Sequence, residues 1–116
     1  MNTFRTQKSV KKYLNYLKTG VKPGFCPLCD KAPAIKKFNY WKISENSYPY
    51  DKIAKVHHMA IPMRHVSEED LNAKEVAELR KIRESYMHEE YDWIIEAANR
   101  RKSIPDHFHL HLIVAK

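Results

Sequence analysis

Apolar side chains between residues 7 and 18 fall at Val10, Tyr13, Leu14 and Leu17. This i, i+3, i+4, i+7 spacing is that of one helix face, and it predicts a helix that Gly20 would stop, with a turn at Pro23-Gly24. The aromatic and β-branched stretch Lys36 to Ser44 reads as one strand, and Ile53 to Ile61 as a second, closed by Pro62. The polar segment Glu45 to Asp51 would join them into an antiparallel hairpin. Asn72 and Glu75 are spaced as a capping box, and Val76, Leu79, Ile82 and Tyr86 recur at helical spacing behind them. After Glu89-Glu90, the Trp93-Ile94-Ile95 core of Tyr91 to Ala98 favours a strand, and Asn99 to Asp106 a basic loop.

The last pattern is the most informative. In His107-Phe108-His109-Leu110-His111-Leu112, polar and apolar residues strictly alternate. An extended chain turns successive side chains to opposite faces, so the three histidines would share one face and Phe108, Leu110 and Leu112 would pack into a core. At roughly 3.3 Å rise per residue, neighbouring imidazoles then lie within about 7 Å of each other. Such a row, titrating near neutrality, suits metal binding, nucleophilic attack or proton transfer.

At 116 residues the chain is long enough for one domain with a real core. No apolar run approaches the length of a membrane span, and the charged stretch Met1 to Leu17 lacks the apolar centre of a secretory signal, so a cytoplasmic protein is expected. The 21 basic and 14 acidic residues give a net charge of +7, which favours phosphate-bearing ligands. The two cysteines form a single Cys26-Pro27-Leu28-Cys29 knuckle. Thiolates at this spacing converge on tetrahedral zinc, but two more ligands are needed. With no second pair of cysteines these must be histidines, drawn from His57, His58, His65, His88 and the alternating trio. The alternative is a redox pair, which would want a helix start within a βαβ unit.

Together the His-x-His-x-His of residues 107 to 111, the strand ending Ile61-Pro62-Met63-Arg64-His65, the upstream Asn46 and Tyr48-Pro49-Tyr50, and the cysteine knuckle resemble the histidine triad (HIT) superfamily of nucleotide hydrolases and transferases, in its zinc-bearing branch. The likeness covers roughly residues 25 to 114. It implies an α+β fold, with an antiparallel sheet of about five strands and one long helix packed on it. Residues 1–22 would form an added N-terminal helical extension, and residues 23–116 the HIT-like domain.

The resemblance implies an enzyme that attacks a nucleotidyl phosphate through His109, giving a covalent nucleotidyl-histidine that water hydrolyses. His111 would contact the phosphate or leaving group, and His57 corresponds to the family's fourth active-site histidine. Asn46 would reach the ribose, and Asn99 and Ser103 phosphate oxygens. Cys26, Cys29, His65 and His107 would hold one structural zinc per chain. The implied partners are a nucleotide substrate, such as an adenylate conjugate or a dinucleoside polyphosphate, and a second copy in a homodimer. The loop before the triad, Arg100-Arg101-Lys102-Ser103-Ile104-Pro105-Asp106, departs from the family's Gly-rich, Gln-containing loop. A second reading is a zinc-stabilised module that binds nucleotide or nucleic acid without catalysis, using the positive charge and Tyr13, Tyr16, Tyr40, Trp41, Tyr48 and Tyr50 as stacking surfaces.

Overall fold

The computed structural model describes residues 4–116 apart from 21–23, 25, 31 and 103, with the backbone alone at 30. Five antiparallel strands form one sheet: β1 (Ala34–Lys37), β2 (Trp41–Glu45), β3 (Ala54–Pro62), β4 (Trp93–Ile95) and β5 (Leu110–Ala115), in the order β1-β2-β3-β5-β4. Helix α1 spans Gln7–Thr19 and the short helix α2 Pro27–Asp30. Helix α3 covers Ala73–Ile82 and runs on through a π-helical stretch, Arg83–Met87, into α4, His88–Glu90. No described helix is long and apolar enough to cross a membrane.

The stretch expected as one strand from Lys36 to Ser44 is instead two, β1 and β2, folded back on each other with Lys37 opposite Lys42. The Phe38 N–H donates to Trp41 O at 2.8 Å and closes the turn. The aromatic run continues through the turn because Phe38 and Tyr40 still pack on the core. No glycine or proline marks the reversal.

Strand alternation sorts the sheet into two faces. Trp41, Ile43, Ala60, Leu110 and Leu112 face the long helix and join Ile82, Met87 and Phe108 in the main core. The opposite face carries Met59 and Ile61, which pack with Cys26, Leu28 and Ala32 of the knuckle, and the histidines His57 and His111. Helix α3 starts at the expected capping box: Asn72 Oδ1 accepts from the Glu75 N–H at 2.8 Å, and Glu75 Oε1 from the Asn72 N–H at 2.9 Å. Of its expected apolar face, Ile82 is buried, Leu79 and Tyr86 lean on the core, and Val76 is exposed. The carboxylate of Glu75 takes the buried place at that end instead, bridged by Arg64 at 2.6 Å.

Helix α1 ends where Gly20 donates to Tyr16 O at 2.7 Å. A Cβ at Gly20 would stand 2.6 Å from the Tyr16 ring, so glycine is required by close approach. No α1 residue is buried. Its aromatic side rests on the 46–51 loop, with Tyr16 stacked on Tyr48 at 4.9 Å between ring centroids, and its amphipathic stripe therefore covers a cavity rather than the core.

Candidate active site and metal cluster

Strands β3 and β5 pair with His57 opposite Ile113 and Met59 opposite His111. His57 and His111 thus project from the same face one diagonal apart. His57 Nε2 lies 2.8 Å from His111 Nδ1. The tautomers follow from the donors around them. The backbone N–H of Tyr50 donates to His57 Nδ1 at 3.0 Å, so the His57 proton sits on Nε2 and is donated to His111 Nδ1. His111 then carries its own proton on Nε2, 3.4 Å from the Tyr50 hydroxyl. Burial holds both imidazoles neutral, with His57 depressed to about 3 and His111 to about 2. The positive charge of Arg5 adds to the depression in each case.

His109 precedes β5 in extended chain and is held differently. Its Nδ1–H donates to the His107 carbonyl at 3.0 Å, which leaves Nε2 unprotonated. Burial also lowers its pKa. His57, His107 and His111 are buried, whereas His109 is partly exposed. His109 and His111 line one cavity of about 700 Å³, together with Asn46, Tyr50, Arg5 and Arg101. A neutral imidazole with one nitrogen anchored and the other bare is a nucleophile, and a second imidazole whose N–H faces the same space is a hydrogen-bond donor to a group being displaced.

Asn46 is fixed by the Tyr48 N–H, which donates to its Oδ1 at 2.8 Å. Its amide nitrogen is thereby left to donate to the Met59 sulfur, at 3.6 Å. Asn99 is not brought to the cavity: it lies on the exposed turn Asn99–Arg101, whose neighbours Ala98 and Arg101 line the cavity instead. Ser103 lies outside the described residues. Trp41, considered above as a stacking surface, is fully buried in the core, and Tyr40 packs against that same core.

Cys26, Cys29, His65 and His107 converge on the cluster side of the same face. Their ligand atoms all lie within 4.8 Å of one another, and the group could hold a metal ion. The Cys29 sulfur is 3.2 Å from His65 Nδ1 and 3.3 Å from His107 Nδ1, and the Cys26 sulfur is 3.5 Å from the latter. Tetrahedral zinc, with bonds of about 2.3 Å to sulfur and 2.0–2.1 Å to nitrogen, places its ligands about 3.3–3.8 Å apart, so the donor set fits. His107 Nε2 donates to the Pro62 carbonyl at 3.0 Å. That bond fixes the tautomer that turns Nδ1 toward the sulfurs. Among the other histidines considered as ligands, His58 bonds the Tyr91 hydroxyl at 2.7 Å and His88 is exposed on α4.

Several contributors carried no sequence signal. The Lys42 ammonium donates to the carbonyls of Leu28 and Ala32 at 3.0 and 2.9 Å and ties the knuckle to the sheet. The Pro62 carbonyl acts through its backbone. Arg5 reaches the cavity from a segment whose local pattern announces only a helix start.

The fold is that of histidine triad proteins. It matches a HIT family hydrolase from Clostridium thermocellum with a TM-score of 0.53 at 15% identity, over 89% of this chain and 88% of that one. It likewise matches a histidine triad protein from Clostridium difficile with a TM-score of 0.52 at 17% identity, over 83% and 94%. No protein-family model matches the sequence, and no curated protein matches it.

Proposed function

We propose that the chain is a HIT-type nucleotide hydrolase or nucleotidyl transferase working through a covalent nucleotidyl-histidine. The observation that carries this reading is His109, anchored through Nδ1 to the His107 carbonyl, in one cavity with the proton-bearing His111. His109 Nε2 attacks the α-phosphorus of a nucleotide conjugate, and the bond to the leaving group breaks while His111 Nε2–H holds the leaving atom by a hydrogen bond. The leaving group takes its proton from water. A second water then attacks the phosphorus, gives one proton to the hydroxide so formed, and releases His109 with the nucleoside monophosphate. Covalent catalysis of this kind divides one difficult transfer into two easier ones.

His57 serves this cycle by holding the His111 ring and filling its Nδ1, which leaves the Nε2 proton pointing at the leaving group. Asn46, on the cavity wall, would bind the ribose. A structural zinc on Cys26, Cys29, His65 and His107 would tie the knuckle to the chain that presents His109. Four protein ligands close such a site, so the metal supplies rigidity and no open position for chemistry. A second copy is expected along β4, the sheet edge, whose Trp93 is 60% exposed.

The test is turnover of adenosine 5′-phosphoramidate and of a dinucleoside polyphosphate by the wild type and by His109→Ala. Release of AMP by the wild type and its loss in the variant supports the reading. Equal inertness of both proteins, with nucleotide still bound, contradicts it.

A further inference from the structure

The segment before α1 is sewn onto the 46–52 loop rather than left trailing. Asp51 accepts from the Thr6 N–H and the Thr6 hydroxyl, both at 2.9 Å, and from the Ser9 hydroxyl. The Lys52 N–H donates to Phe4 O at 3.0 Å. Arg5 Nε donates to the Tyr48 carbonyl at 2.9 Å. These bonds seat the Arg5 guanidinium 4.3 Å from the Tyr13 ring centroid and 4.9 Å from that of Tyr50. Tyr50 in turn lies 5.0 Å from the His111 ring and 4.4 Å from that of His57.

Arg5 is thus a preplaced cation on the wall of the histidine cavity. Its terminal nitrogens bond no described residue. The only ion pair among the described residues is Arg64–Glu75, so no described carboxylate neutralises Arg5. Through the Tyr50 ring it stands against His111 and His57, the pair assigned above to the leaving group. The wall also holds a buried hydroxyl, that of Tyr16, with no hydrogen-bond partner. A planar guanidinium with free donors, stacked on aromatic rings, is built for bidentate phosphate recognition.

We propose that Arg5 is the specificity-determining residue of a leaving-group subsite: its guanidinium binds an anionic group attached beyond the attacked phosphate, so that the cavity takes phosphoanhydrides in preference to phosphoramidates. The naming of the attacked phosphate rests on the HIT-type reading above. The described part of the expected N-terminal extension, residues 4–20, then forms part of the active site and selects the substrate.

The test is calorimetric binding of AMP and of α,β-methylene-ADP, which cannot be cleaved at the bridge, to the full chain. Wild type is expected to bind the methylene diphosphate at least tenfold more tightly than AMP. Arg5→Gln should erase that preference while the AMP affinity stays within about twofold, and Arg5→Lys, which keeps a cation over Tyr13, should retain part of it. No preference in wild type overturns the proposal, and so does an equal weakening of both ligands in Arg5→Gln, since that marks a structural role. A preference that depends on Arg5, in a protein whose His109 never becomes adenylated, leaves the subsite standing and removes the catalytic reading. An adenylated His109 without the preference does the reverse.

Discussion

His57 Nε2 stands 2.8 Å from His111 Nδ1, across two antiparallel strands and 54 residues of sequence. With the Tyr50 N–H already bound to His57 Nδ1 at 3.0 Å, the order of donors in this pair has one solution, and it leaves the His111 proton at the cavity. The pair therefore turns an N–H donor toward the cavity, and His109 turns a lone pair.

Loss of His57 should affect hydrogen bonding to the leaving group more than attack. His57→Ala leaves His111 Nδ1 without its donor, so the ring is free to change tautomer. The kcat of this variant on amine or alkoxide leaving groups should fall about 100-fold, as for the loss of one oriented donor at a developing negative charge. With p-nitrophenolate, which departs without a proton, the fall should stay within about threefold. Equal losses on both leaving groups would assign His57 a merely structural role.

Stability should decline in mild acid. In the native state His57 and His111 are neutral, with pKa values of about 3 and about 2, while an unfolded histidine titrates near 6.5. Between these limits the unfolded chain binds more protons, so lowering the pH through 6.5 favours unfolding and raising it restores stability. Each such histidine contributes a slope of up to about 1.4 kcal/mol per pH unit. Urea unfolding from pH 7 to pH 5 should show a slope smaller by about 1 kcal/mol per unit in His57→Gln than in the wild type. Identical slopes would show that His57 is free to protonate in the folded protein.

The cysteine knuckle gives a stoichiometric prediction. Elemental analysis of the purified chain should find about one zinc per molecule, as for a closed four-ligand site. Cys29→Ser should retain less than about a tenth of it, and its Tm should fall to that of the chelator-treated wild type. Because Cys29 is exposed, its own packing adds little, so the two measurements should move together. Full zinc occupancy in Cys29→Ser would exclude this set of ligands.

What could be read from the chain was what local periodicity encodes. The alternation at residues 107–112 set Phe108, Leu110 and Leu112 against the histidines, and the core holds those three apolar residues. The box at Asn72 and Glu75 marked the start of α3 because capping is satisfied within four residues. The β1–β2 reversal was not legible, because Phe38 and Tyr40 serve the core on either side of a turn that needs no special residue. Nor was the service of α1. Its stripe of Tyr13, Leu14 and Leu17 has the spacing of a core face, yet Leu14 and Leu17 remain 44% and 45% exposed, and the helix roofs the cavity. Arg5 and Tyr50 owe their places to bonds with residues more than 40 positions away, and no local pattern records such contacts. Asn99 lies close to the triad in sequence, and the 99–101 turn leaves it exposed.

The central claim is that His109 Nε2 bonds to phosphorus. Rapid mixing with adenosine 5′-phosphoramidate, acid quench and peptide mass spectrometry tests it most directly. An adenylate mass is expected on the peptide carrying His109, absent from His109→Ala and trapped at higher occupancy by a variant that slows hydrolysis of the intermediate. AMP release with no adenylated peptide at any quench time, or adenylate on a different histidine, would contradict it.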